Sequence, residues 1–323
     1  MPGGAGHAAL SGVGCVKKTA TNLPASVRQR LLNLANERRQ DFGMLLTNYA
    51  LERFLYRLSV SQHHDSFVLK GALLLQLWTS EVYRSTRDLD LLGQVEGPAK
   101  GYRKVFAEVC GEKVEDDGLT FLADTIRIEK IREEEAYEGV RVLLEVRLAN
   151  ARIPQQIDVG FGDVITPAPL EVEYPALLPF PAAKMRAYPK ESVVAEKFEA
   201  VIKLGMANSR MKDFYDLWVM AARFEFRGPV LAEAFAATFA RWKTMLPASR
   251  PLAFTPEFSA SPAKQTQWRA FLRKSGLEAD ASLQDVVNAL NEFLIPVVEG
   301  ILRKETIPLL WRPGGPWRAS PTS

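Results

Sequence analysis

The sequence predicts an α+β fold in which a mixed sheet lies between an N-terminal and a C-terminal helical region. Two observations carry that expectation. Apolar residues recur with a helical period over residues 24–58 and again beyond residue 190, whereas between these regions they alternate in twos over short runs. Pro167, Pro169, Pro175, Pro179, Pro181 and Pro189 then crowd a stretch that cannot be regular helix, which separates the sheet from the second helical region.

Residues 1–21 are rich in Gly, Ala, Ser and Thr without a period, and read as a flexible tail. Val27, Leu31 and Leu34 recur at four and three residues, and a second series runs from Phe42 through Leu45, Leu46, Tyr49, Leu51, Phe54 and Leu58. Residues 22–62 therefore read as a helical element. Phe67-Val68-Leu69 is a short apolar run that enters Lys70-Gly71 and then the helical stretch ALLLQLW, giving strand, glycine turn and helix. RSTRDLDLLG alternates, with Leu89 and Leu91 on one side and Asp88, Asp90 and Leu92 on the other, as a half-buried strand requires. A helix over about Lys100 to Cys110 and alternating segments near 119–131, 138–149 and 154–161, broken by the charged turn REEEAYEG, complete a core over 63–165. Residues 166–189 read as a proline-rich connection. Beyond it, SVVAEKFEAVIKLGM and RMKDFYDLWVMAARF form a helix pair joined around Asn208, with further helices near 230–246, 264–275 and 283–303. The helical domain thus covers 190–305, and 306–323 reads as a second tail.

A chain of 323 residues suffices for one large or two ordinary domains, and 47% hydrophobic with 24% charged residues argues against a disordered, collagen-like or disulfide-stapled protein. No run approaches 18 apolar residues, and the basic pair near the start follows its apolar stretch, the reverse of a secretory signal. A cytoplasmic protein without membrane attachment is expected. The 41 basic and 38 acidic residues leave +3, which permits nucleic-acid binding without demanding it. Cys15 and Cys110 are far apart and read as reduced bystanders. Only His7, His63 and His64 supply imidazole, the last two reading as a cap or loop, so chemistry must run on carboxylates and lysines.

Asp88 and Asp90 stand two apart on an apolar strand, so both carboxylates point to one face. Like charges held together repel, and a divalent cation between them makes the arrangement favourable; a solvated strand face is the bland alternative. Asp158, in QQIDVGFG, alternates with Ile157, Val159 and Phe161 and raises a third carboxylate from another strand. Three acids on neighbouring strands fit a metal-assisted phosphoryl or nucleotidyl transfer site. Upstream, Lys70-Gly71-Ala72 puts a glycine turn at a helix start, where backbone N–H groups can hold a triphosphate. Val194, Lys197, Phe198 and Val201 share a helical stripe, so Lys197 either snorkels along it or clamps a phosphate. Asp213 and Asp216 share a face of the next helix beside Lys212, as ordinary surface charge or as part of the site. Arg84 and Arg87 flank the acidic strand, where they balance carboxylates, contact phosphates or simply confer solubility.

FVLKGALLLQLW, RSTRDLDLLG, IDVGFGD and EKFEAVIKLGMANSRMKDFYDLW together resemble the AbiEii/AbiGii-type nucleotidyltransferase toxins of bacterial abortive-infection and toxin–antitoxin systems, over about residues 24–300. The resemblance implies a polymerase-beta-like nucleotidyltransferase core with helical additions. It implies that Gly71 opens the nucleotide-binding turn, that Asp88 and Asp90 bind metal, and that Lys197, Asp213 and Asp216 complete the site. Where the wider superfamily usually has Gly-Ser or Gly-Gly, this turn reads Gly71-Ala72, which keeps the backbone N–H but offers a phosphate no hydroxyl. Combined with the acids, the implied activity is transfer of NMP from NTP to an RNA acceptor, tRNA foremost. Lys70, Gly71, Ala72, Arg84, Lys197 and Asp216 would hold the nucleotide, Asp88, Asp90 and Asp158 would hold Mg2+ or Mn2+, and an antitoxin encoded nearby would be the partner. A protein or small-molecule acceptor, or a non-catalytic nucleotide- or RNA-binding regulator, are the alternatives.

Overall fold

In a computed structural model, residues 22–79, 86–93, 99–133, 137–277, 281–305, 307 and 309–319 are described; the expected tail over 1–21, with His7 and Cys15, lies outside them, as does Arg84. Asn22 caps α1 (Leu23–Arg38) by accepting a hydrogen bond from the Ala25 N–H, and Asp41 caps α2 (Phe42–Val60) through the Met44 N–H. Each cap satisfies one of the donors that a first helical turn leaves open. The helical expectation for 22–62 holds.

Seven strands follow: β1 (Phe67–Lys70), β2 (Asp88–Gly93), β3 (Leu119–Glu133), β4 (Tyr137–Leu148), β5 (Ala151–Phe161), β6 (Leu170–Tyr174) and β7 (Ala183–Ala187). They form one mixed sheet in the order β3-β4-β5-β2-β1-β7-β6, parallel at β2/β5 and β1/β7 and antiparallel elsewhere. The alternation in RSTRDLDLLG is realised: Leu89 and Leu91 are buried with Leu69, Ile157 and Val159, while Asp88 and Asp90 take the other face. Helix α4 (Ala99–Cys110) and α2 pack together through Phe106, which stacks on Phe54 at 5.6 Å and meets Phe67 edge-on. A buried lock ties α2 to the loop before β3. There Arg57 grips both oxygens of Asp117 at 2.6 and 3.0 Å, and Arg53 reaches the same carboxylate at 3.0 Å.

The proline-rich stretch is more than a connection, because β6 and β7 extend the core sheet beyond residue 165. Its prolines fall outside the strands: Pro169 and Pro175 bracket β6, and Pro181 and Pro189 bracket β7. Proline's missing N–H therefore costs the ladder nothing.

The second helical region comprises α5 (Lys190–Leu204), α6 (Met211–Arg223), α7 (Gly228–Trp242), α8 (Pro256–Ala260), α9 (Pro262–Ser275) and α10 (Leu283–Arg303). Its core is aromatic, with Phe198 against Phe235 at 5.0 Å and Phe239 at 5.4 Å, and Phe214 stacked on Phe258. The tail expected over 306–323 is corrected: within it, β9 (Leu309–Trp311) and β10 (Trp317–Ala319) form a hairpin that pairs with β8 (Phe226–Arg227). Trp311 is the reason. It is buried, and its indole N–H donates to the Ala221 carbonyl at 2.7 Å, while Trp317 donates to the Phe293 carbonyl at 2.9 Å. The turn needs glycine at Gly315, where φ is +72° and a Cβ would lie 2.5 Å from the Trp311 ring.

Candidate active site

The sheet register assembles a charged row across five strands. Glu129 pairs with Arg141, Arg141 with Asp158, Asp158 with Asp90, and Asp90 with Lys70. Cross-strand partners share a face, so two carboxylates lie side by side with a cation on each flank. Arg141 grips Asp158 in bidentate fashion, Nε to Oδ1 at 2.9 Å and Nη2 to Oδ2 at 2.8 Å, and Gln156 donates to the same carboxylate at 3.2 Å. Those hydrogen bonds raise the Arg141 pKa further.

Asp90 stands in the middle of the row. Burial pushes its carboxyl up; Lys212 and Lys70 pull it down, and Asp158 and Asp88 push it up again. Among the described residues none forms a hydrogen bond or ion pair with it. Its carboxylate packs on the turn after β1, where Gly71 has φ +78° and a Cβ would lie 2.0 Å from Asp90 Oδ2. Glycine is demanded twice there, by the backbone and by the acid. The turn leads through the half-buried Ala72 into α3 (Leu73–Thr79), so strand, glycine turn and helix stand as the sequence reads.

Lys70 faces a second acid pair that sequence reasoning misses. Its ammonium bonds Asp163 and lies 3.0 Å from Glu196 on α5, and Tyr188 donates to Asp163 at 2.8 Å. Burial, reinforced by the Asp163 charge and opposed by Lys70, pushes Glu196 up to about 7. For Asp163 burial acts the same way, but Lys70 and the Tyr188 hydroxyl outweigh it and hold the carboxyl low. The signals available were the Asp in IDVGFGD and the Glu preceding Lys197, yet their partner lies 93 residues from the first.

Lys197 neither snorkels nor stands alone. Its Nζ lies 2.9 Å from Asp213 Oδ1 and 2.8 Å from Asp216 Oδ2, both acids being fully buried. Arg210, one turn before, adds a contact of 2.7 Å to Asp213 Oδ2. Burial would raise the Asp213 pKa, but Lys197, Arg210 and Lys212 outweigh it and hold it below the usual carboxylate range. The surface-charge alternative for Asp213 and Asp216 is thereby removed.

Two lysines join the parts: Lys212 acts on both Asp90 and Asp213, and Lys70 on both Asp90 and Glu196. The structure thus brings Lys70, Gly71, Asp90 and Asp158 together on the face of β2 that also carries Asp88, and Lys197, Asp213 and Asp216 into a second cluster that Lys212 links to it. Arg87 is exposed ahead of β2. His63 pairs with Glu108 at 2.7 Å in a turn, as a loop residue. Among the described residues no group of three or more His, Cys, Asp or Glu side chains is arranged to hold a metal ion, and no helix is long and apolar enough to cross a membrane.

A family model described as the nucleotidyl transferase AbiEii toxin of type IV toxin–antitoxin systems matches residues 53–292. No curated protein matches the chain. Among solved structures, that of JHP933 from Helicobacter pylori is 14% identical with a TM-score of 0.45, covering 78% of this chain and 90% of its own. A candidate nucleotidyltransferase from H. pylori is 15% identical with a TM-score of 0.43, over 79% and 94%.

Proposed function

The chain belongs to the AbiEii family of nucleotidyl transferase toxins of type IV toxin–antitoxin systems, and from that premise we propose that it transfers NMP from NTP to an RNA acceptor, tRNA foremost, releasing pyrophosphate. The observation that carries the reading is Asp90, half-buried against Gly71 beside Asp88 and Asp158 and left without a bonded cation among the described residues.

The donor set fits magnesium, with manganese as its substitute. Mg2+ is commonly held by one or two carboxylates plus substrate phosphates and keeps several waters. Asp88 and Asp90 provide that pair, while Asp158, both of whose oxygens Arg141 holds, would join only on release from the guanidinium. The ion would supply positive charge to the transferring phosphoryl group. The chain's own groups do the rest. The Lys70-Gly71-Ala72 turn brings backbone close to the triphosphate, with Arg84 a further candidate for nucleotide contact. Lys197, aimed by Asp213 and Asp216, presents a fixed ammonium to it. The acceptor hydroxyl attacks the α-phosphorus in line, its proton passing to a carboxylate of the cluster.

Incubating the protein with each labelled NTP, magnesium or manganese, and total RNA tests this reading. Label should enter RNA with one or two nucleotides and not with Asp90→Asn. Label entering protein or a small molecule would move the acceptor class, and no turnover with any NTP would favour a regulator that binds without reacting. The toxin family also implies a cognate antitoxin, so expression alone should arrest growth and co-expression of the neighbouring antitoxin should relieve it.

A further inference from the structure

Helix α9 is the one described helix that carries several basic residues and no acidic one: PAKQTQWRAFLRKS holds Lys264, Arg269, Arg273 and Lys274. Lys264 is spent internally. It is buried, donates to the Asn208 carbonyl at 2.7 Å and lies over the Phe258 ring. Arg269, Arg273 and Lys274 are exposed, and among the described residues none of them is in an ion pair. Arg269 and Arg273 stand four residues apart, so both project from one face about 6 Å from each other along the axis. Beside them, between α9 and the start of α10, lies a cavity of about 400 Å3 lined by Gln265, Trp268, Arg269, Leu272, Ser282 and Gln284 among others. That volume is within the range of pockets for small ligands. It combines an aliphatic wall, backed by the buried Trp268, with amide groups and a guanidinium plane, polar and planar groups of the kind that receive an unstacked base.

The surface is joined to the candidate active site. Tyr215 of α6 packs against Trp268 and Phe271 of α9, at 6.3 and 5.7 Å. Lys264 holds Asn208, whose side chain in turn accepts from the backbone N–H of Arg210, the partner of Asp213. One helix therefore presents Asp213 and Asp216 to Lys197 and supports α9 through Tyr215.

We propose that the α9 face and its cavity are the docking surface for the RNA acceptor, with Arg269, Arg273 and Lys274 on phosphates and one flipped-out nucleotide in the cavity. The proposal rests on the RNA-transfer reading for its choice of polyanion. An acidic protein partner would find the same cations, but a base-sized cavity with amide groups beside them favours RNA.

The test is direct binding of fluorescently labelled bulk tRNA to the full chain, measured by anisotropy across a salt series, in parallel with transfer assays. Arg269→Glu/Arg273→Glu should weaken tRNA binding by at least about tenfold. The milder Arg269→Gln/Arg273→Gln should lower the slope of log K against log salt by about 1.4, the share of two phosphate contacts on a single strand. The neutral pair keeps the test open if charge reversal disturbs folding, which melting will show. NTP affinity should stay unchanged, and Arg38→Glu/Arg127→Glu, with the same change in net charge elsewhere, should leave tRNA affinity within about twofold. Wild-type tRNA affinity and salt slope in both α9 variants would overturn the proposal, as would absence of tRNA binding by the unaltered protein, or loss of antitoxin binding with tRNA affinity intact. Transfer to RNA with an unchanged KM for RNA in the variants would sink the docking surface and spare the reading. Lost tRNA binding in a protein that transfers no nucleotide would do the reverse.

Discussion

On β2, Asp90 is half-buried beside Asp88 and Asp158, with Lys70 and Lys212 acting on it from beyond bonding distance. On α6, Asp213 and Asp216 are fully buried, and Lys197 of α5 bonds both while Arg210 reaches the first. The two regions hold the same functional group at different depth and settle its charge differently. The helix pair is balanced in the free protein, which fixes Lys197 in place. On the strand side Asp158 is held by Arg141, whereas Asp90 has no bonded cation among the described residues, which is the condition under which binding a cation between neighbouring carboxylates is favourable.

The largest effect should come from upsetting the balanced side. Lys197→Met leaves two buried carboxylates with less compensation, a change that costs about 3 kcal/mol or more in buried ion pairs. Urea denaturation should show that loss, and adding Asp213→Asn should recover part of it. A stable Lys197→Met protein would mean that the pair is not balanced as described.

Asp90→Asn makes the opposite forecast. Desolvation is the main cause that raises this carboxyl, so removing its charge should leave stability equal or higher, while transfer falls at least about 100-fold, the scale for losing one charge-stabilising group. A destabilised variant with normal transfer would reverse the assignment of the two regions.

Gly71→Ala probes the contact between turn and acid. Its Cβ meets Asp90 Oδ2 at 2.0 Å on a backbone with φ +78°, so a cost of about 1–3 kcal/mol is expected. Displacement of Asp90 should lower transfer further than the stability change explains, and Asp90→Gly in the same chain should recover only the part of the cost that the clash contributes, without activity.

The smallest effect concerns the group between the two regions. Glu196 is pushed up to about 7 by burial and the Asp163 charge, against Lys70. An acid whose folded pKa exceeds its unfolded value of about 4.5 binds more protons when folded, so its contribution to stability declines as pH rises from about 4.5 to 7 and is flat above. Glu196→Gln should remove a slope of up to about 1.4 kcal/mol per pH unit from that part of the profile. An unchanged profile between pH 5 and 7.5 would show that Glu196 ionises normally.

How far the sequence could be read follows from distance along the chain. The strand–turn–helix at Lys70-Gly71-Ala72 and the pair Asp88/Asp90 are local patterns, set by a period of two and by a glycine, and both stand as read. That Lys197 lies in an apolar stripe is local too; what it bonds is not, since Asp213 is sixteen residues away on another helix. Arg141 on Asp158 depends on the register of a long hairpin, and Lys70 on Asp163 on the crossing of separate strands. No spacing rule reveals such partners. In the sequence, the glycines and prolines of the expected tail over 306–323 outweigh Trp311 and Trp317, two large apolar side chains that a solvated segment has little reason to carry.

The hairpin that replaces this tail also sets an order of events. Trp311 and Gly314 both donate to the Ala221 carbonyl, near the C-terminal end of the helix that bears Asp213 and Asp216. Trp311 follows Ala221 by ninety residues. During synthesis, then, every catalytic candidate has left the ribosome well before the segment that secures their helix. A chain that ends between α10 and the hairpin holds all of these groups, but its Asp213- and Asp216-bearing helix lacks the two hydrogen bonds at Ala221.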